Sequence, residues 1–261
     1  MKKYIALFLL SILSIFAFSG CSTAKEEKAA AKPLRVGMNA SYAPFGSQNV
    51  ETKEYEGFDV DIIQAIADEE YFPVQIVSVS FDGLIPALQT HDLDIVINDM
   101  GITPERSAKV LFSKPYYYSG IGIVLAKDRT DIASEKDLAG KTVGVCIAST
   151  GETEARNIEG AIVKTYNTTA DAFLDLQTGG IDAVINDSPV NDYYIAKKGQ
   201  GKLKAIEIPS HVEEIGIAVA KDNKALLEKI NKGLATIQKN GKYAEIYKKW
   251  FGKEPPAELV K

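Results

Sequence analysis

Leu88-Gln89-Thr90-His91-Asp92-Leu93-Asp94-Ile95-Val96-Ile97-Asn98-Asp99 recurs as Leu176-Gln177-Thr178-Gly179-Gly180-Ile181-Asp182-Ala183-Val184-Ile185-Asn186-Asp187. The copies lie 88 residues apart and agree at eight of twelve positions. Each ends a run of branched apolar residues with Asn-Asp. Self-similarity at a fixed interval is a first-order fold signal, because duplicated segments fold into equivalent units. The pattern reads as helix, turn and buried strand, so it predicts two similar lobes. A carboxylate at the same point of each lobe predicts a ligand held between them. Coincidence is the alternative, since Asp-x-Val-Ile is ordinary strand vocabulary.

Outward from the first copy, strands alternate with helices, the mark of an α/β lobe. Leu34–Met38 reads as a strand running into a loop at Asn39–Phe45, where Pro44 and the polar residues break the pattern. Phe58–Ala67 has apolar residues at helical spacing, with Asp59 near the start. Val74–Val79 reads as a strand, Phe81–Gln89 as a short helix and Asp94–Ile97 as a buried strand. The order restarts at Lys141. Thr142–Val145 is a strand, Ser149–Glu152 opens a helix, Ile162–Tyr166 is a strand, Thr169–Gln177 a helix and Ala183–Ile185 a strand. A second likeness joins Gly122-Ile123-Val124-Leu125-Ala126-Lys127-Asp128 to Gly216-Ile217-Ala218-Val219-Ala220-Lys221-Asp222. If the first carries the chain into lobe two, the second carries it back, and the two antiparallel strands make a hinge. Lys224–Phe251 is helical in pattern and completes lobe one. The expected division is lobe one at 33–119 and 217–261, and lobe two at 120–216.

Lys2 and Lys3, the apolar stretch Ile5–Phe18 and Ser19-Gly20 form a charged region, a hydrophobic region and a small-residue cleavage site. Residues 1–20 therefore read as a secretory signal. Cys21 directly after the small pair resembles a bacterial lipoprotein signal, although Phe18 stands where leucine is usual. That resemblance implies that Cys21 is lipidated (a palmitate-type anchor). The apolar stretch is short for a bilayer-spanning helix of roughly 20 residues. Residues 21–32, rich in Ala, Lys and Glu, read as a flexible tether. Without residues 1–20 the chain has 28 basic and 35 acidic residues, a formal charge of −7. With no basic stripe, nucleic acid is not an expected partner. With Cys21 lipidated, Cys146 stands alone and no internal disulfide is possible. His91 and His211 have no zinc-like spacing, so neither a metal nor a cofactor is expected.

Thr103-Pro104-Glu105-Arg106 follows the first Asn-Asp. Thr is a good N-cap and Pro suits the first helical position, so a helix starts there, at the rim where open α/β sheets bind ligands. The planar fork of Arg106 can hold a carboxylate through two hydrogen bonds. The plainer reading is an exposed arginine. Ser149, Thr150 and Gly151 offer hydroxyls and free N–H groups at a helix N-terminus, a second anion site unless they simply cap. Glu152 and Glu154 nearby would repel an anion unless they point away. Asp99 and Asp187 are the complementary charges, with turn capping as their plainer role. Together these groups match a free amino acid, with its one carboxylate and one ammonium. Tyr42 and Phe81 are the aromatics best placed to sandwich a side chain, with core packing as their alternative. Tyr116-Tyr117-Tyr118 reads as hinge and cleft-wall packing.

The chain resembles the polar amino-acid-binding proteins of bacterial ABC importers, the group of glutamine, histidine and lysine/arginine/ornithine receptors. The likeness is carried by Tyr42–Phe45, Glu56–Asp61, Gly83–Leu88, Thr103–Arg106, Phe112–Tyr117 and Tyr247–Gly252, in family order. It implies a two-lobed, type II periplasmic-binding-protein fold, α/β, each lobe a mixed sheet flanked by helices and joined by two hinge strands. It implies that Arg106, aided by Ser149, Thr150 and Gly151, binds the α-carboxylate. Asp187 matches the acceptor of the α-ammonium, Tyr42 and Phe81 match pocket aromatics, and Asn39 matches a side-chain-reading position that is often Asp. The partners implied are a free amino acid, an ABC permease with its ATPase subunits, and the membrane through the lipid anchor, for an extracytoplasmic monomer that is no enzyme.

Four positions depart from the family. Asp99 replaces glycine or serine. Gly101 replaces a serine or threonine whose hydroxyl helps hold the ammonium. Gly46 stands where an acidic residue is common, and Cys146 where glutamine or lysine is common. Asp99 then replaces the missing hydroxyl or takes a second amine. The balance leans to a polar neutral ligand, with a cationic amino acid as the alternative. A periplasmic dehydratase of prephenate or arogenate on the same fold is the rival of another class, kept open by Asp99 as an acid or base.

Overall fold

The computed structural model describes residues 32–199 and 201–260. The signal segment, Cys21 and the tether as far as Ala31 lie outside the described residues. In chain order the structure has β1 (Leu34–Met38), β2 (Ser41–Tyr42), β3 (Gly46–Gln48), β4 (Tyr55–Glu56), α1 (Phe58–Glu69), β5 (Val74–Ser78), α2 (Phe81–Gln89), β6 (Ile95–Val96), α3 (Pro104–Lys109) and β7 (Val110–Phe112). It continues with β8 (Tyr117–Ala126), β9 (Thr142–Cys146), α4 (Thr150–Asn157), β10 (Ile162–Tyr166), α5 (Thr169–Gln177), β11 (Ala183–Asp187) and α6 (Ser188–Tyr194). It ends with β12 (Leu203–Ile215), β13 (Ala218–Ala220), α7 (Lys224–Lys239) and α8 (Lys242–Phe251).

Local chemistry sets these boundaries. Helix α1 buries Ile62, Ile63 and Ile66, one apolar stripe at helical spacing. Helix α3 starts where predicted: Thr103 Oγ1 accepts the Arg106 N–H at 3.1 Å and Pro104 opens the first turn. The C-terminal helical stretch is two helices. Gly241, in the left-handed region at φ +88°, breaks it between α7 and α8.

Two five-stranded sheets form, in the orders β5-β1-β6-β13-β7 and β10-β9-β11-β8-β12. The repeated segment supplies the central strand of each. β6 runs parallel to β1 and antiparallel to β13, and β11 runs parallel to β9 and antiparallel to β8. Even the register repeats. Val96 pairs with Ala218, and its counterpart Val184 pairs with Val124. Val124 and Ala218 are themselves the same position of the second likeness. Coincidence is thereby excluded as the source of either repeat.

That register corrects the hinge reading. Gly122–Asp128 and Gly216–Asp222 do not pair with each other. They resemble one another because β8 and β13 fill the same, fourth, place in the two sheets. The antiparallel partner of β8 is β12, from Leu203↔Ala126 to Ile215↔Tyr117, with a register shift between Glu207 and Val212. The chain crosses between sheets just before Tyr117 and just after Ile215. The sequence pattern missed β12 because Pro209 and the shifted register interrupt its alternation.

The second crossing is tied to lobe one. Gly101 bridges Ile215, Ile102 N–H donates to Glu214 O at 2.7 Å and Gly216 N–H donates to Met100 O at 3.1 Å. The first crossing is packed by aromatics. Phe58, fully buried, contacts the rings of Phe45, Tyr116, Tyr117, Tyr243, Tyr247 and Phe251 at centroid distances of 5.0–6.1 Å. The expected packing role of Tyr116 and Tyr117 is what the structure shows. Tyr243 Oη donates to Tyr116 O at 2.6 Å, so α8 also clamps this crossing.

Phe58→Ala should therefore cost about 3–5 kcal/mol of stability, the range for a buried aromatic reduced to a cavity. Urea unfolding checks this. A loss under about 1 kcal/mol would mean that the aromatic cluster is not a structural anchor.

Candidate functional site

Both Asn-Asp pairs leave the central strands at the edge where the two sheets face each other. Asp99 follows β6 with φ +46°, a left-handed conformation that Asp tolerates better than most residues. Its N–H donates to Asp59 Oδ2 at 2.9 Å, and Asp59 Oδ1 accepts from Tyr116 Oη at 2.7 Å. Asn98 Oδ1 accepts the Asn39 N–H, while Asn39 Oδ1 accepts from Ser41 N at 3.0 Å and Ser41 Oγ at 2.6 Å. The Asn39 carbonyl is thus committed to its own turn. Asp187 closes β11. Its Oδ2 accepts from Tyr42 Oη, its Oδ1 accepts from Ser119 Oγ at 3.2 Å, and Tyr42 Oη also lies 2.9 Å from Asn186 Oδ1. Tyr42 therefore reaches from the first lobe to the second.

Arg106 makes the other link. The residue is 9% exposed. Nη1 donates to Gly101 O at 2.9 Å and Nη2 donates to Ala148 O, across the cleft, at 3.0 Å. Its guanidinium lies 5.3 Å from the Phe81 ring centroid, a cation–π contact. The plain reading of an exposed arginine is excluded.

Across the cleft, Ser149 caps α4. Its Oγ accepts the Glu152 N–H at 3.1 Å and donates to Cys146 O at 2.7 Å. The Ser149 hydroxyl is spent on capping, so anion contacts from this turn fall to the Thr150 hydroxyl and the N–H groups of Thr150 and Gly151, which have no intrahelical acceptor. Glu152 does not face the cleft as a free anion: Oε2 accepts the Ala148 N–H at 2.7 Å and Oε1 pairs with Arg156 at 2.7 Å. Gly151 brings α4 close to β11, since a Cβ there would sit 2.7 Å from Ile185 O.

The side chains of Asn39, Tyr42, Phe81, Asp99, Arg106, Ser149, Thr150 and Asp187 line one cavity, joined by Asn98 and Cys146. It shares Phe81, Arg106, Ser149 and Thr150 with a groove of about 450 Å³ that Met100 and Glu152 also bound. Gly101 and Gly151, expected at the site, are not among the lining residues; Gly101 O holds Arg106, and Gly151 sets α4 against β11. A larger concavity of about 680 Å³ lies elsewhere, among Glu135, Asn157 and Ile208. The smaller cavity is the better candidate because the buried charges converge on it. Sequence reading passed over Asp59 and Glu213. Asp59 had a visible signal, a carboxylate on the helix face shared by Ile62, Ile63 and Ile66. Glu213 had none, since its strand was not foreseen.

The electrostatics are lopsided. Asp99 is 4% exposed, and neither carboxylate oxygen has a hydrogen-bond partner among the described residues. Burial first, then the charges of Asp187, Asp59 and Glu213, hold its carboxyl well above the usual range. Asp187 is pushed up by burial and drawn back by Tyr42, Ser119 and Arg106. Burial and the Asp187 charge push Glu213 up to about 7, with Thr150 and Arg106 opposing. Burial likewise pushes Asp59 up to about 7, against its hydrogen bonds from Tyr116 and Asp99. Arg106 is the cation beside Glu213 and Asp187. No group of His, Cys, Asp and Glu among the described residues is arranged to hold a metal ion.

A family model of bacterial extracellular solute-binding proteins, family 3, matches residues 34–253. The ABC transporter arginine-binding protein 1 of Escherichia coli (strain K12) is 35% identical over 258 residues, 96% of this chain and 99% of that protein. An ancestral arginine-binding protein solved with arginine is 42% identical with a TM-score of 0.81, covering 84% of this chain and 98% of that one. An ancestral amino-acid-binding protein described as a precursor of cyclohexadienyl dehydratase is 38% identical with a TM-score of 0.78, covering 84% of this chain and 95% of that one.

A carboxyl raised by folding makes stability fall as pH rises. Asp59 sits near 7 when folded and near 4 when unfolded, so the native state holds an extra proton between those values. Its contribution is complete below about pH 4 and is lost through pH 7, at up to about 1.4 kcal/mol per pH unit. The melting temperature of the ligand-free protein should fall from pH 5 to pH 8, less steeply in Asp59→Asn. Equal slopes would acquit Asp59.

Proposed function

The chain belongs to the bacterial extracellular solute-binding proteins, family 3, and on that premise we propose that it is the receptor of an amino-acid ABC importer, binding a free amino acid between its lobes. The carrying observation is the site itself. One buried guanidinium and the first turn of α4 suit an α-carboxylate, and buried aspartates suit positive groups. Arg106 and the turn at Ala148–Gly151 come from opposite sides of the cleft. Only a closed form engages both, so the ligand favours closure. We assign lobe one to 33–119 and 217–261 and lobe two to 120–216, boundaries within three residues of the two crossings.

The charge balance moves the ligand from the polar neutral amino acid expected above to a cationic one. Glu213 and Asp187 are the carboxylates that act on Arg106, while Asp99 has no hydrogen-bond donor among the described residues, so with a neutral zwitterion an ionised Asp99 stays buried and uncompensated, which is costly. A ligand with a second positive group compensates it. The arginine-bound ancestral relative supports this reading. The importer context supports a permease and its ATPase as partners, for a monomer held at the membrane by lipidated Cys21. The relatives' names support binding over turnover. The dehydratase reading draws on the third relative and on Asp99 as an acid or base. Turnover of prephenate or arogenate, lost in Asp99→Asn, would replace the receptor reading.

A thermal-shift screen of free amino acids is the direct test. A ligand at 100 times its Kd adds about 2.7 kcal/mol of stability. Arginine or lysine should give the largest shift, and no shift with any amino acid would overturn the receptor. By titration calorimetry, Arg106→Ala should weaken binding at least about tenfold, 1.4 kcal/mol. Affinity for the cationic ligand should rise from pH 5.5 to 8, because Glu213, near 7, and Asp99, raised well above its usual value, lose protons in forming the charges the ligand needs. An affinity independent of pH would separate these carboxylates from the ligand.

A further inference from the structure

Glu213 is not one of the residues expected to bind ligand, yet the fold sets it beside Gly101 and Arg106, next to the residues that line the cavity. It lies on β12 opposite Ser119, two residues before the bridge between Ile215 and Gly101. The backbone bonds from Ile102 to Glu214 and from Gly216 to Met100 lock this stretch against the segment that carries Asp99 and Gly101. The side chain is partly buried. Its Oε2 occupies the space beside Gly101: a Cβ built there would overlap Oε2 and would lie 3.4 Å from Arg106 Nη1. Carboxylate and guanidinium thus share one corner of the site, and glycine at 101 leaves room for the carboxylate.

The charges around that corner have an order. The opposite charges acting most strongly on Arg106 are Glu213, then Asp187. Asp99 is not among its main partners; it responds to Asp187, Asp59 and Glu213. In an amino acid the ammonium and the carboxylate share one carbon. With the carboxylate on Arg106, the ammonium must fall beside the acceptors nearest Arg106, and a side-chain cation must reach further. We propose that Glu213 shares the α-ammonium with Asp187, which leaves Asp99 to select the second positive group of a dibasic ligand. Glu213 is then the acceptor common to all ligands, and Asp99 the one that discriminates among them. This assignment rests on the receptor reading above. It adds a carboxylate carried by the return crossing, so ligand charge acts directly on a strand that must adjust when the lobes close.

Titration calorimetry with arginine and with glutamine, on the wild type and on Glu213→Gln and Asp99→Asn, tests the division. Glu213→Gln should weaken both ligands at least tenfold. Asp99→Asn should weaken arginine at least tenfold and should leave glutamine as tightly bound or tighter, since it removes a charge that a neutral ligand does not compensate. If the wild type binds neither these nor any other amino acid, the receptor reading fails. If it binds arginine while Glu213→Gln binds within threefold of wild type or more tightly, the receptor stands and this assignment is overturned. A gain in affinity would identify Glu213 as a competitor for Arg106. A second measurement does not depend on how Gln packs. Gly101→Ala should weaken arginine by displacing Glu213, and should have no further effect in a Glu213→Ala background. Equal losses in both backgrounds would show that Gly101 acts independently of Glu213.

Discussion

Burial of carboxylates around a single guanidinium is the constraint on which this molecule turns. Glu213 and Asp187 act on Arg106, and Asp99 stands behind them among Asp187, Asp59 and Glu213. Removing a charge from water costs several kcal/mol unless hydrogen bonds or an opposite charge replace the solvent. Here the replacement is uneven. Asp187 is served by Tyr42 and Ser119, Asp59 by Tyr116 and the Asp99 backbone, while the Asp99 carboxylate has no such partner among the described residues. Such an imbalance favours uptake of protons or of an added positive charge, and it links stability to pH.

The rest of the architecture holds these groups at short range despite their repulsion. The duplicated unit sets a central strand in each sheet and ends both strands with a carboxylate on the facing edge. The third strand of either sheet is flanked by one parallel and one antiparallel neighbour, so both ends present the same rim. The aromatic cluster around Phe58 fixes the first crossing, and the Gly101–Ile215 bridge fixes the second. A left-handed backbone at Asp99 is maintained by a buried hydrogen bond to Asp59, an instance of local strain kept at a functional position by its surroundings.

Much of the site was legible because its residues announce themselves locally. Thr103-Pro104 marks a helix start, which places Arg106 on the rim, and Ser149 marks another. The repeated Asn-Asp marks both strand ends. What local pattern cannot show is which of two roles a side chain fills once neighbours from elsewhere arrive. Ser149 is consumed by capping, the Asn39 carbonyl by its own turn, and Arg106 is buried rather than exposed. The likeness of Gly122–Asp128 to Gly216–Asp222 was real, but it recorded equivalent places in two sheets rather than a pairing.

The sequence alone determined the α/β alternation, the duplication, the helix starts and the candidate charges, since each rests on contacts a few residues apart or on periodicity. Only the tertiary structure decided where the crossings lie, and that Glu213 stands beside Gly101 and Arg106. Glu213 is more than a hundred positions from either, and the meeting depends on the bridge of Ile215 to Gly101 and on the antiparallel ladder of β12 with β8. A long-range register of that kind leaves no periodic trace when a proline and a shifted register interrupt the strand. The two aspartates therefore came from reading the chain, and the third carboxylate came from folding it.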